Sequence, residues 1–311
     1  MSKILLGFNI FTIFGAYLLY RSGLRLYLDD GYDVLPPSVL RARGESTPPP
    51  VEQVPISIPI SSQSPDPVSS SSSWGGSGAQ KNYTCTNLRM RPKFLSYDPI
   101  MVYIENFMSP YETQHLKSLA EAQYEPSVVE NFNKDPENKD TYVDASQRKS
   151  ETAWLKDGDA VVDCVKSRAA EFQGFAPNNS LEELAVLKYK PGGSFTPHYD
   201  WHSAPPQAID RRTSFFATIE ASPDLEGGAT WFGRVTRPAW ARLQPWCDRG
   251  LLDCSYEVGL AVRPVEGNAV FWVNFREDGL GHEGTAHGGE PVVKGSKIGL
   301  NIWTRARLWA D

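Results

Sequence analysis

The pattern of apolar and polar positions divides the chain into three parts. Residues 4–20 form an uncharged, mostly apolar run, residues 28–80 carry a dense load of Pro and Ser, and regular patterning begins near Pro99. Beyond that point, short apolar or alternating runs are separated by Gly, Pro and Asp, which is typical of strands joined by turns. We expect a signal anchor or transmembrane segment at 1–27, a disordered Pro/Ser-rich linker at 28–80 and one globular domain at 81–311.

The globular part combines two predicted helices with many strands. A capping box formed by Ser109 and Glu112 begins a helix at 110–122, and a second helix is predicted at 157–172. Strands are predicted at 100–104, 185–190, 214–219, 229–232, 259–262, 269–273, 291–293 and 298–304. Helices followed by many strands predict an α+β, mainly β fold, a sandwich or jelly roll buttressed by helices. For the polar segment 124–150, a lid over a binding site and plain disorder both stay open.

The amino-terminal run determines where we expect the protein to reside. Its seventeen uncharged residues are at the short end for a membrane span and long for the apolar h-region of a cleaved signal peptide. Asn82 and Asn178 each begin a glycosylation acceptor pattern. We expect an endoplasmic reticulum membrane protein of single-pass type II with a lumenal globular domain. A secreted protein with a cleaved signal is the alternative.

Charge and cysteine content restrict the partners and the compartment. A net charge of −6 without a basic stripe speaks against nucleic acid as a partner. The four cysteines form an even set without the CxxC spacing of a zinc site, as in proteins of oxidising compartments. The short interval between Cys247 and Cys254 favours a disulfide between them, and unpaired buried thiols are the alternative.

The candidate chemistry begins in the run Thr-Pro-His-Tyr-Asp, where His198 and Asp200 are two residues apart. On a strand, side chains at that spacing project from the same face. An imidazole and a carboxylate that converge on one point are two parts of a 2-His-1-carboxylate triad, which leaves positions on Fe(II) open for oxygen and a co-substrate. Alone, the pattern arises often by chance, so the prediction depends on a third ligand.

Four further histidines compete for that third position. His115 lies in the first predicted helix and is expected at the surface, and His202 follows the first ligand by four residues, which suits a helix face better than a strand. His287 is favoured over His282 because it stands ten residues before Lys297. A co-substrate with two carboxylates needs a fixed cation at its far end, and Lys297, in an otherwise apolar strand, can supply it. An ordinary solvated lysine is the alternative.

Several runs taken together resemble the prolyl 4-hydroxylase family of 2-oxoglutarate- and Fe(II)-dependent dioxygenases, of the alpha-subunit catalytic-domain type. They occur in the family's order and spacing, at 184–200, 226–232, 259–269 and 287–303, and Arg148-Lys149-Ser150 is similar to the family's Arg-Thr-Ser segment. The resemblance covers about residues 95–305. It identifies the globular part as a dioxygenase domain.

The resemblance implies a double-stranded β-helix, Fe(II), O2 and 2-oxoglutarate, with ascorbate to restore oxidised iron. It implies His198, Asp200 and His287 as iron ligands, and Lys297 as the partner of the far carboxylate of 2-oxoglutarate. Further residues assigned to the co-substrate are Tyr189, Thr230 and Trp303. The residues assigned to a peptide groove are Arg148, Ser150, Glu182, Arg212 and again Trp303.

The implied activity is hydroxylation of peptidyl proline in a Pro-rich protein segment, whose polyproline II form would dock onto aromatic side chains. The same chemistry on a lysyl peptide or a small molecule is one alternative, and a non-catalytic lumenal binding protein on this fold is another. Three features depart from the family: Phe195 where Tyr is frequent, Lys149 in place of Thr, and the Trp- and Arg-rich segment 234–253. These changes lie where a peptide would lie. Oligomeric state stays open.

Overall fold

The computed structural model describes residues 83–131, 140–174, 176–202 and 209–307. The predicted anchor at 1–27, the linker at 28–80 and Asn82 therefore lie outside the described residues, as does the side chain of Asn178. Within the described ranges, none of the helices combines the length and the apolar character that crossing a membrane requires.

Short strands make up most of the described chain. In chain order the strands are β1 (Arg91–Tyr97), β2 (Ile100–Glu105), β3 (Glu125–Pro126), β4 (Val129–Asn131), β5 (Asp140–Tyr142), β6 (Arg148–Lys149), β7 (Glu151–Leu155), β8 (Leu184–Tyr189), β9 (Ser194–His198), β10 (Ile209–Ala221), β11 (Glu226–Gly227), β12 (Thr230–Phe232), β13 (Leu260–Val262), β14 (Ala269–Val273), β15 (His287–Gly289), β16 (Val292–Lys294) and β17 (Lys297–Arg307). The helices are α1 (Pro110–Ala120), α2 (Ala160–Phe172) and α3 (Trp240–Asp248), and short 3-10 turns lie at Asn178–Ser180 and Glu283–Thr285.

The helix starts follow from side-chain capping. Ser109 accepts a hydrogen bond from the backbone N–H of Glu112, and the Glu112 carboxylate accepts one from the backbone N–H of Ser109, so the predicted capping box is confirmed. The Asp159 carboxylate caps α2 by accepting the backbone N–H groups of Val161 and Val162, which places the first helical residue, Ala160, after the predicted start. Helix α3 was not predicted. Its first residue has no side-chain cap and Pro245 lies inside it, so it lacks the usual sequence signals.

Two antiparallel sheets organise the strands. The larger has the order β1-β2-β14-β10-β17-β8-β7-β3 and the smaller β13-β12-β15-β9-β6, while β11–β16 and β4–β5 form separate pairs. The prediction of a mainly β protein with helices is confirmed. The segment at 124–150 contains short strands in its described part, so it is not plain disorder there, and its role as a lid stays a prediction.

The two faces of the large sheet have different partners. Along β17, Ile298, Leu300 and Ile302 pack with α1 and α2 residues such as Leu116 and Val165 in one apolar cluster. The opposite face packs against the small sheet, where the β14 residues Val270 and Trp272 meet Phe232 and Val262. Side chains alternate along a strand, so the residues between the helix-facing ones point into the space between the sheets. Lys297 and Trp303 are among them.

Two disulfides fix loops to this frame. One joins Cys247 to Cys254, the pair favoured from the sequence, and the other joins Cys85 to Cys164 across a separation of 79 residues. Sequence reasoning did not select the second pair, because nothing local indicates that the segment before β1 returns to α2.

Loss of the longer bridge is expected to destabilise the protein more than loss of the shorter one. In the chain-entropy description, replacing Cys85 and Cys164 by Ala lowers the free energy of unfolding by about 4 kcal/mol, against about 2 kcal/mol for Cys247 and Cys254. The reason is that the closed loops span separations of 79 and 7 residues. Urea unfolding of the two double variants measures the difference. A larger loss for the Cys247 and Cys254 variant would contradict it.

Candidate active site

Two histidines and an aspartate converge between the sheets. His198 ends β9 and His287 begins β15, and strand pairing places the two residues directly opposite each other. Their ring centroids are 4.4 Å apart, and each Nε2 lies 3.9 Å from a carboxylate oxygen of Asp200. One donor atom from each of the three lies within 4.8 Å of the other two. Two imidazoles and one carboxylate on one side of a point are the donor set of a non-haem Fe(II) site.

Both imidazoles are oriented by the same local hydrogen bond, from Nδ1 to the backbone carbonyl two residues earlier. The Nδ1 atom of His198 lies 2.9 Å from the carbonyl oxygen of Thr196, and that of His287 lies 2.9 Å from the carbonyl oxygen of Thr285. A carbonyl can only accept, so each Nδ1 carries the proton and donates it. The lone pairs of both Nε2 atoms are thereby free to face the common point, as in protein metal sites whose histidines are held by outer hydrogen bonds.

The protonation states also suit a metal. Burial and the nearby charge of His287 hold the pKa of His198 well below its usual value, so its imidazole is neutral near pH 7. Burial alone would raise the pKa of Asp200, but His287, His198 and a hydrogen bond from Ser214 hold it below its ordinary value. The Ser214 hydroxyl donates to Oδ2 of Asp200 at 2.6 Å. Neutral imidazole and ionised carboxylate are the forms that bind a divalent cation.

The other histidines do not join this cluster. His282 bonds Asp98 through Nε2 at 2.7 Å and accepts the backbone N–H of Gly284 at its other nitrogen, so it caps the 3-10 turn before His287. His202 pairs with Asp210. His115 pairs with Asp159 and is partly buried, so the expectation of a surface position was wrong.

Lys297 is a buried cation between the sheets. It is 1% exposed, its Nζ donates to the carbonyl oxygen of Gly228 at 2.6 Å, and the same nitrogen lies over the rings of Tyr189 and Phe216 at 4.7 and 5.4 Å. Among the described residues it has no carboxylate at ion-pair distance. Burial lowers the pKa of Lys297 to about 8, with Glu290 opposing the shift. A buried ammonium with one neutral acceptor fits an anionic ligand.

The backbone around Lys297 is shaped to admit it. Gly228 has φ +72°, and a Cβ there would meet the Cδ of Lys297 at 3.4 Å and Val292 at 3.2 Å, so glycine lets the chain pass over the lysine stem. Tyr189 is paired with Lys297 across β8 and β17 and is buried. Thr230 is buried at the start of β12. Of the three residues predicted to hold the far end of a dicarboxylate, Tyr189 and Lys297 lie on neighbouring strands of the large sheet and Thr230 lies on the small sheet.

The residues predicted for a peptide groove form two groups. In the first, the guanidinium of Arg148 lies 4.6 Å from the ring of Phe195, which stacks on His198 at 3.6 Å. Ser150, two residues on, shares a hydrogen bond with Ser127 at 2.8 Å. In the first group, the Phe195 ring therefore connects Arg148 to His198 of the candidate metal site.

In the second group it is Arg211, and not the predicted Arg212, that contacts Glu182 and Trp303, and the role of Arg212 toward a substrate stays a prediction. Arg211 makes a two-pronged ion pair with Glu182, at 2.8 Å for both bonds, and its guanidinium lies 3.7 Å from the ring of Trp303. Arg212 is exposed instead. The pairing of β10 with β17 shifts register between Arg211 and Thr213, and this irregularity decides which arginine meets Trp303.

Sequence reasoning missed the residues that support the carboxylate and the imidazoles. Ser214 and Phe216 lie in a run that reads simply as an apolar strand, and Phe232 and Trp272 read as core. In the structure the rings of Phe232 and Trp272 lie 5.4 and 4.8 Å from that of His287. The one available signal was alternation along β10, which puts Ser214 and Phe216 on one face.

Comparison with known proteins places the chain among enzymes of one type. A family model described as the 2OG-Fe(II) oxygenase superfamily matches residues 184–305. Prolyl 4-hydroxylase 5 of Arabidopsis thaliana is 31% identical over 215 residues, which cover 67% of this chain and 69% of that protein. Prolyl 4-hydroxylase subunit alpha-2 of Caenorhabditis elegans is 30% identical over 215 residues, or 69% of this chain, and the chain spans 35% of that longer protein.

Among solved structures, one match is the viral collagen prolyl hydroxylase vCPH from Paramecium Bursaria Chlorella virus-1 in a 2OG complex. It is 21% identical with a TM-score of 0.45, and the match covers 66% of this chain and 96% of that one.

Proposed function

The chain belongs to the prolyl 4-hydroxylase family of 2-oxoglutarate- and Fe(II)-dependent dioxygenases, and we propose that it hydroxylates proline residues in a peptide or protein substrate. His198, Asp200 and His287 would hold the iron. Lys297, with Tyr189 and Thr230, would hold the far carboxylate of 2-oxoglutarate. The two facing antiparallel sheets support the double-stranded β-helix that the sequence resemblance implies.

The observation that carries this proposal is the combination of the metal-type cluster with Lys297. A metal cluster alone fits many functions, but a buried ammonium that has no carboxylate partner among the described residues, on the sheet that faces the cluster, specifies an anionic ligand as well. An α-keto dicarboxylate can chelate a metal at one end and pair with the lysine at the other. Both needs of the site are then met by one molecule.

The chain's own residues position the reactants and exclude water. When bound, Fe(II) with 2-oxoglutarate and O2 supplies the oxidising power that converts a C–H bond to C–OH, with release of succinate and carbon dioxide. The carbonyls of Thr196 and Thr285 keep the two Nε2 atoms directed inward. Apolar rings such as Phe232 and Trp272 line the inner side of the cluster and keep bulk water from it.

The expected substrate surface lies where Trp303 and Phe195 flank the site. Trp303 is 6% exposed, and its Nε1–H has no hydrogen-bond partner within the described ranges. A Pro-rich peptide in a polyproline II helix would dock onto aromatic side chains at this edge of the site. Phe195, with Arg148 on its outer face, provides an aromatic wall beside His198.

For the cellular setting we propose a lumenal domain anchored by residues 1–27, with ascorbate restoring oxidised iron. The support is the apolar run in the sequence and the two disulfides, which persist in oxidising compartments.

A peptide comparison tests the substrate class. The full-length protein is incubated with Fe(II), 2-oxoglutarate, ascorbate and a Pro-rich peptide, and succinate release is compared with that for the same peptide carrying Ala or Lys in place of Pro. Stimulation by the Pro peptide alone supports the proposal. Stimulation by the Lys peptide alone, or by neither peptide, would contradict proline as the target.

The affinity for 2-oxoglutarate is expected to fall above pH 8. Burial lowers the pKa of Lys297 in the free enzyme to about 8, so its ammonium is charged below that pH and becomes a neutral amine above it. A neutral amine cannot pair with a carboxylate, so the KM for 2-oxoglutarate should rise about tenfold per pH unit above pH 8 and stay level from pH 6 to 7.5. KM measured across this range checks it. A KM that stays constant up to pH 9.5 would argue against Lys297 as the partner.

A further inference from the structure

We propose that Asn274 is a positioning residue that holds the Asp200 carboxylate in the orientation that metal binding requires, acting through Ser214. The inference rests on the proposed function, since it gives a role to a residue behind the same metal site. Asn274 directly follows β14 and is fully buried at 0% exposure, and its hydrogen bonds within the described residues go to Trp272, Ser214 and backbone groups and not to the three candidate ligands. No sequence motif points to it.

A chain of hydrogen bonds leads from Asn274 to the carboxylate. Its Nδ2 lies 2.9 Å from the Ser214 hydroxyl, and that hydroxyl lies 2.6 Å from Oδ2 of Asp200. The Oδ1 of Asn274 accepts a hydrogen bond from Nε1 of Trp272 at 2.9 Å. All four side chains sit between the sheets, where water cannot substitute for a lost partner.

The direction of every bond in this chain is determined. An indole N–H can only donate, so the Asn274 atom facing Trp272 must be its oxygen, and the atom facing Ser214 must be its amide nitrogen. Because the ionised carboxylate of Asp200 can only accept, the single hydroxyl proton of Ser214 points toward it. Ser214 therefore accepts from Asn274 and donates to Asp200. Donors aligned in one direction polarise each other, and here each one points toward the carboxylate.

Asn274 also connects the chain to the second side of the site. The second proton of its Nδ2 is donated to the backbone carbonyl oxygen of Arg211 at 2.9 Å. The backbone carbonyl oxygen of Asn274 accepts the backbone N–H of His282 at 2.8 Å. Trp272, held by Oδ1 of Asn274, places its ring edge-on against His287 at 4.8 Å. One amide thus supports the element beside Asp200 and the ring beside His287.

The expected consequence follows from what Asp200 loses without this support. If the Asn274 amide is removed, the Ser214 oxygen loses in a dry site the donor that fixes its position, so the Ser214 side chain no longer holds Asp200 from one defined place. The carboxylate then no longer has one fixed orientation before the metal arrives. Loss of such outer partners typically costs 10- to 100-fold in metal affinity.

The competing interpretation is that Asn274 is only structural and ties the irregular part of β10 through the Arg211 carbonyl. A structural role predicts lower stability with unchanged metal affinity of the folded protein. A positioning role predicts weaker metal binding in a protein that is still folded. Metal affinity therefore separates the two.

The experiment titrates full-length protein with Co(II) and follows visible absorption, alongside thermal unfolding. The variants are Asn274→Ala, Ser214→Ala and the double variant, with Asn268→Ala as the matched control. Asn268 is also a hydrogen-bonded asparagine, but its amide binds the Tyr103 hydroxyl and the backbone N–H of Asn106. Asn274→Asp is included as a variant of nearly identical size, which keeps the acceptor for Trp272 and removes the donor to Ser214.

We expect 10- to 100-fold weaker Co(II) binding for Asn274→Ala, Asn274→Asp and Ser214→Ala, and wild-type affinity for Asn268→Ala. The double variant should be no weaker than the weaker single variant, because both act on one path. Wild-type affinity in a folded Asn274 variant, or additive losses in the double variant, would overturn the inference. Should wild-type protein bind Co(II) but fail to hydroxylate Pro peptides, the proposed substrate falls while the Asn274 result stands. Should it bind no Co(II), the metal site itself is refuted.

Discussion

Replacing His287 by alanine is expected to abolish Fe(II)-dependent turnover, while His282→Ala retains most of it. His287 supplies one of the three donors that converge in the described part of the chain, and its Nε2 faces Asp200 at 3.9 Å. The two donors that remain cannot define the three-cornered face on which oxygen and co-substrate bind. His282 instead caps a short turn and pairs with Asp98, so its loss costs about 1 kcal/mol of stability and no donor.

Bound iron and succinate release are measured together for the two variants. His287→Ala should lose both at the iron concentration that saturates the wild type. The assignment is wrong if His287→Ala binds iron and turns over normally, and more so if His282→Ala is the inactive variant.

Lys297→Ala is expected to raise the KM for 2-oxoglutarate about thirtyfold or more. Truncating one partner of a buried, hydrogen-bonded charge pair costs about 2–5 kcal/mol, and each 1.4 kcal/mol is about tenfold in affinity. Metal binding should stay intact, because Lys297 bonds Gly228 and not a ligand. The loss should therefore appear in KM far more than in Co(II) affinity.

The chain offers a matched control for this variant. Lys294 lies on the same turn but is 57% exposed, with only long ion pairs to Asp224 and Glu226. Lys294→Ala should leave the KM unchanged. Equal KM values for the two lysine variants would mean that the far carboxylate is held elsewhere. A further sign is thermal: 2-oxoglutarate should stabilise the wild type and not Lys297→Ala, since ligand binding to the native state alone raises stability.

The sequence predicted the parts of the site that depend on short spacing. His198 and Asp200 share a strand face because they are two residues apart, and Lys297 stood out as a charge in an apolar strand. The capping box at Ser109 was equally local. These features need no knowledge of how distant segments meet.

What the sequence did not reveal depends on distant contacts or on irregular register. Arg211, and not Arg212, contacts Trp303 because the pairing of β10 with β17 shifts register there. No residue type in that run predicts the shift. Cys85 meets Cys164 across 79 residues. Asn274 and Ser214 become support for Asp200 only once β10 and β14 are paired. Helix α3 forms around a proline and without a side-chain cap, so its sequence reads as a loop.

Incorporation of oxygen from O2 into peptidyl proline is the most direct test of the account. The full-length protein, Fe(II), 2-oxoglutarate and a Pro-rich peptide are incubated under heavy-isotope oxygen gas, and the peptide is sequenced by mass spectrometry. The account predicts hydroxyproline that carries the heavy oxygen, succinate in equal amount, and neither product with His287→Ala. An unmodified proline in the presence of bound iron and co-substrate, or a hydroxyl group whose oxygen comes from water, would contradict it.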